Sequence, residues 1–112
     1  MALQKQVTFV APTTYNDGAT PLPTPDALSF NVLIDTVNPP VKSYPVPAAQ
    51  TPSTPGATVT VTFAQLGFTP VGNTTYWASA TATDAAGTST ETAPVSFLYE
   101  LAPAAPTGFV VA

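Results

Sequence analysis

The sequence predicts an all-β fold, an antiparallel two-sheet sandwich with extended termini. Three observations carry that expectation. Apolar residues alternate with period two in several short segments. Fourteen Pro are scattered along the chain, and Thr, Val and aromatic residues recur where a helix would want Ala, Leu, Glu or Lys. Turn-forming clusters separate the alternating segments at short spacing, and the 112 residues suffice for one core and not for two.

The elements follow in order. Lys5 to Val10 is the first strand expected. Leu28 to Asp35 is the second, with Leu28, Phe30, Val32 and Ile34 on one face and Leu33 alone breaking the polar face. Val41 to Val46 is a third, in which Tyr44 and Val46 share a face. Pro45 and Pro47 stand two apart, so their missing N–H groups fall along one lateral side, which predicts a sheet edge there. Thr58 to Phe63 has the cleanest alternation, Val59, Val61 and Phe63 pointing one way and Thr the other. Tyr76 to Thr83 aligns Tyr76, Ala78, Ala80 and Ala82, after which Asp84-Ala85-Ala86-Gly87 supplies a turn. The hairpin partner expected is Pro94 to Tyr99, with Val95, Phe97 and Tyr99 on one face. The connections 12–27 and 48–56 have the Pro, Thr, Gly and Asn of loops, with Asn16-Asp17-Gly18 as a turn in the first. Residues 1–101 are thus expected to form the sandwich and 102–112 a Pro-rich arm.

Taken together, these residues resemble a fibronectin type III domain, one of the immunoglobulin-like sandwiches. Leu66, Pro70, Gly72 and Tyr76 are similar to the corner between that family's strands E and F, and Ala78, Ala80 and Ala82 to the inward positions of strand F. Val95, Phe97 and Tyr99 then correspond to strand G, Tyr44 with Val46 to strand C, and Leu28 to Asp35 to strand B. The resemblance covers about residues 28 to 99. Ile34 stands where the family commonly has an inward Trp, the loop before that strand is longer than usual, and no Arg-Gly-Asp is present, so no integrin-binding role carries over. The final segment, Ala102 to Ala112, resembles a linker and the first strand of a following domain of the same kind.

Composition excludes several functions. A net charge of −4 with no Arg leaves nothing to neutralise a row of phosphates, which argues against nucleic acid as a partner. Without His or Cys there are no imidazole or thiol nucleophile systems, no disulfides and few ligands for transition metals. The acids Asp17, Asp26, Asp35, Asp84, Glu91 and Glu100 are dispersed singly, so neither a carboxylate pair for acid–base chemistry nor a regular calcium loop is expected. The expectation is a non-enzymatic protein with no cofactor and no metal. No apolar run approaches the roughly 18 residues of a spanning helix, so membrane insertion is not expected either. The polar start, Met1-Ala2-Leu3-Gln4-Lys5-Gln6, lacks the apolar stretch of a secretory signal, which fits either a mature fragment or a protein that never uses that route.

Four residues are singled out for partner binding. Trp77 falls between Tyr76 and Ala78, hence on the face away from the core, where an aromatic on a Thr/Ser surface stacks on a sugar or anchors a protein. Phe109, Val110 and Val111 follow Gly108 with strand chemistry at the tip of the arm. A small signal-free sandwich with adhesive arms is similar to accessory proteins of tailed-bacteriophage virions, which decorate capsids or attach to tails and fibres. The function expected is therefore that of a virion structural or accessory protein, assembled in the bacterial cytoplasm and binding other virion proteins or copies of itself. The alternative is a spacer or carbohydrate-adhesion module of an extracellular or cell-surface bacterial protein, with surface glycans as partners.

Overall fold

A computed structural model describes residues 6–14, 18–19, 21, 28–52, 54–84 and 87–111. The expected turn at Asn16-Asp17-Gly18, apart from Gly18, lies outside these residues. The elements are β1 (Gln6–Val10), β2 (Ser29–Asp35), β3 (Ser43–Pro45), a 3-10 turn at Ala48–Gln50, β4 (Thr58–Thr62), a one-turn helix α1 (Phe63–Leu66), β5 (Thr74–Asp84), β6 (Gly87–Thr88) and β7 (Val95–Tyr99). They form two antiparallel sheets packed as a sandwich. The smaller sheet is β1 beside β4, and the larger runs β3-β2-β5 with β6 and β7 sharing the far side of β5.

The alternating faces close on each other as the sequence predicts. Phe30, Val32 and Ile34 of β2 meet Val59 and Val61 of β4, and all five are essentially removed from water. Burying an aliphatic or aromatic side chain of this size contributes about 1.5–3 kcal/mol, so these few positions dominate the fold's stability. Aromatic rings fill one end of the core: Phe68 meets Tyr44, Phe63 and Tyr76 edge-on, and Phe97 stacks against both Phe63 and Tyr76, with centroids 5.1 to 5.7 Å apart. β3, carrying Pro45, is the edge strand expected of it, although only three residues long.

Four expectations are corrected. Phe63 does not continue β4 but opens α1, because Thr62 and Gln65 form a reciprocal cap: the Thr62 hydroxyl accepts the Gln65 N–H at 3.1 Å, and Gln65 Oε1 accepts the Thr62 N–H at 2.9 Å. Gly67, at φ 75°, then ends the helix in a left-handed conformation that costs other residues energy. The hairpin partner of β5 begins at Gly87 rather than Pro94, and it is broken in the middle. Val95, expected to face inward with Phe97 and Tyr99, is 68% exposed, because the two-stranded sheet does not extend over it. Finally, the resemblance placed Leu28 to Asp35 in the position of strand B, across the sandwich from strand F. Instead β2 pairs with β5 over its whole length, from Ser29↔Thr83 to Asp35↔Trp77, so the two strands lie side by side in one sheet and not across the sandwich from each other.

The break in the hairpin has a definite geometry. Between Thr83 and Ala78, β5 advances five residues, while its partner advances seven, from Thr88 to Val95. Two residues are therefore extra, which is bulge behaviour. Side chains repair the ladder. Ser89 and Thr92 donate their N–H groups to the carbonyls of Ala82 and Ala80, at 2.8 and 3.0 Å, and their hydroxyls accept the N–H groups of the same two alanines at 2.9 and 3.1 Å.

Candidate functional site

Three surfaces offer chemistry, and the fold positions each of them. The first is the outer face of the larger sheet. Trp77 lies on it, flanked by Asp35 on β2 and Ser96 on β7, and it is half-buried rather than open. The neighbouring outward position, Ser79, is buried, because Glu91 in the broken segment reaches over the sheet edge and accepts its hydroxyl proton at 2.6 Å. A charge-assisted bond of that length fixes the bulged segment to the sheet.

The second surface is an apolar cleft of about 300 Å³ at the side of the sandwich. β1 forms one wall through Val7 and Phe9, and the broken edge forms the other through Thr92, Ala93, Val95 and Phe97. Its floor reaches Val32 and the alanines of β5, Ala78 and Ala80, whose short side chains leave the space unfilled. The cause is a mismatch of layers: a sheet of two strands lies over one of five. Among the described residues β1 pairs only with β4, so the backbone groups on its other side border the cleft without a ladder partner.

The third is the C-terminal arm. Its root is fixed: the Asn73 N–H donates to the Tyr99 carbonyl, and the Leu101 N–H donates to Asn73 Oδ1 at 3.4 Å. Leu101 also lies against Gly72, where any Cβ would overlap its side chain. Beyond this root every residue to Val111 is exposed, and the molecule measures 71 Å along its long axis against 26 and 21 Å across. Phe109, Val110 and Val111 are 86, 81 and 87% exposed.

The predicted site residues thus occupy two separate places. Trp77 belongs to the sheet face, and Phe109, Val110 and Val111 form the tip of the arm; the structure does not bring them together. The cleft was not foreseen, although the small residues at alternate positions of β5 were its signal.

Asp35, Asp84 and Glu91 each accept hydrogen bonds that hold local structure. Asp35 closes the connection between β2 and β3, accepting N–H groups from Thr36 at 2.8 Å, Lys42 at 3.3 Å and Val41 at 3.4 Å. The hydrogen bond from Thr36 is the main reason its pKa lies below the ordinary carboxylate value; desolvation is the next largest effect and opposes it, while the hydrogen bonds from Lys42 and Val41 and the Lys42 charge add to the lowering. Among the described residues no three acidic side chains converge in a way that would hold a metal ion, and no helix is long and apolar enough to cross a membrane. Asp17 and Asp26 lie outside the described residues.

Comparison with known proteins finds no matching family model, no matching curated protein and no matching solved structure.

Proposed function

We propose that the chain is a non-enzymatic assembly module, an accessory component of a virion that binds other virion proteins or further copies of itself through its sandwich and its C-terminal arm. One observation carries the reading: the arm holds three large apolar side chains in water on a fixed root, and a surface of that kind marks an interaction site. The sandwich is taken as a relative of the fibronectin type III fold. The hydroxyl of Tyr76 accepts the Val71 N–H at the corner leading into β5, the bond by which immunoglobulin-like sandwiches fix that corner, and this supports the kinship.

The test is the solution mass of the full chain beside a version ending at Leu101, measured by light scattering alone and with particle proteins. Association lost on truncation supports the proposal. A stable free monomer with a protease-labile tail, absent from any particle, overturns it. The position of Trp77 on the outer face favours a second reading, a spacer or carbohydrate-binding module. In that case Trp77→Ala abolishes binding in a glycan screen and truncation of the arm leaves it unchanged.

A further inference from the structure

We propose that the cleft between β1 and β7 is the receptor for the arm of a second copy of this chain, which enters as an added strand along the edge of β1 that has no ladder partner among the described residues. This rests on the reading of the arm as an assembly element and identifies its acceptor.

Volume, length and backbone chemistry agree on the occupant. The cleft, about 300 Å³, lies beside the strand edge that is unpaired among the described residues and is lined by Val7, Phe9, Ala78, Ala80, Val95 and Phe97. A strand placed there extends the two-stranded sheet to three and covers the part of the larger sheet that is left open. Strand addition of this kind draws affinity from main-chain hydrogen bonds and selectivity from pockets for alternate side chains.

The arm meets both requirements. Pro103 and Pro106 offer no N–H, so its root and middle are poor ladder partners. Thr107 to Val111 carries an N–H at every position, and its five residues match the five of β1. In an extended strand Phe109 and Val111 point to one face, toward Ala78, Ala80 and Phe97, while Val110 points outward. The alanines leave room for a phenyl ring and an isopropyl group. The ten residues from Ala102 to Val111 span on the order of 33 Å when extended, enough to carry the tip clear of its own sandwich and into a neighbour.

The chain has no cysteine, so single introduced cysteines report contacts without background. Thr8→Cys lies exposed on β1 beside the cleft, and Val110→Cys lies on the arm; neither position is in the core. Mixing the two full-length variants under mild oxidation is expected to give a covalent heterodimer faster than either homodimer, and the double variant a ladder of linked copies. In parallel, Phe109→Asp and Val95→Arg, both at exposed positions, are each expected to weaken self-association about tenfold or more, with circular dichroism showing the sandwich intact.

An internally linked monomer from the double variant, at a rate independent of concentration, overturns the inference and makes the cleft the seat of the chain's own arm. Absence of the heterodimer overturns it too. If truncation at Leu101 still abolishes association while no cross-link to Thr8→Cys forms, the arm assembles on another surface, so the inference fails and the proposed function stands. If truncation changes no association at all, both fall.

Discussion

The hydroxyl of Tyr76 accepts the backbone N–H of Val71 at 2.8 Å, closing the corner through which the chain passes from the small sheet to the large one. The ring of Tyr76 is buried between Phe68 and Phe97, so packing against these two rings holds the hydroxyl in place. Removing it leaves the ring contacts intact. Tyr76→Phe is therefore expected to cost about 0.5–1.5 kcal/mol, because the Val71 side of the bond is exposed and its N–H can turn to water. Urea unfolding with an unchanged slope and a lowered midpoint checks this.

Thr92 is expected to matter more than its exposure suggests. Its hydroxyl is the acceptor for the N–H of Ala80, a buried residue. Thr92→Val keeps the shape and deletes the acceptor, which leaves a buried donor unsatisfied at a cost of about 1–3 kcal/mol. Thr92→Ser, which restores the oxygen, should recover most of that loss. Amide exchange of Ala80 gives a residue-level readout: accelerated in Thr92→Val, near the parent value in Thr92→Ser.

Asp35 gives the fold an acid-sensitive element. Its pKa is lowered in the folded chain, chiefly by the Thr36 hydrogen bond, so the folded state holds the proton less tightly than the unfolded state does. Its contribution is fully present above the unfolded carboxylate value of about 4 and is lost as pH falls through the lower folded value. Asp35→Asn is expected to lower stability at neutral pH and to flatten its decline in acid. Thermal midpoints followed from pH 7 to pH 3 test both halves; an unchanged slope in the variant counts against the assignment.

The core prediction is Ile34→Ala. Ile34 is 1% exposed and lies near the end of β2, paired with Ala78 of β5 and donating its N–H to the Lys42 carbonyl at 3.0 Å. Truncation removes buried methyl groups and leaves a cavity, at an expected cost of about 2–5 kcal/mol. The contrasting change is Val95→Ser, which alters a residue already in water and is expected to stay within about 0.5 kcal/mol. Chemical unfolding of the two side by side compares a packed position with one that lines an open cleft.

Much of the fold was legible because period-two alternation is a local signal. Leu28 to Asp35, Thr58 to Phe63 and Tyr76 to Thr83 announce their buried faces in consecutive residues. Which strand lies beside which is not local, and that is where the expectation failed: an alternating segment looks the same in the small sheet as in the large one, so β2 was assigned to the wrong side of the sandwich. The cap at Thr62 and Gln65 and the Gly67 stop were written in the sequence as a Thr-x-x-Gln pattern before Gly, but the alternation of Thr58 to Phe63 masked them. The same limit applies to the site. The arm stands out by composition, whereas the cleft arises from unequal sheet widths and from the register slip between Thr88 and Val95, neither of which any single segment reveals.

That slip also determines how the molecule behaves toward unwanted neighbours. A foreign strand laid along the outer side of the segment from Ser89 to Pro94 would find donors and acceptors out of step, since two hydroxyls stand in for carbonyls and Glu91 brings a negative charge to the rim. On the far side of the same sheet, Pro45 offers no donor. The stretch from Ser89 to Pro94 and the outer side of Pro45 are thus poor templates for uncontrolled stacking into fibrils, which shortens the length of the larger sheet's edges open to strand pairing.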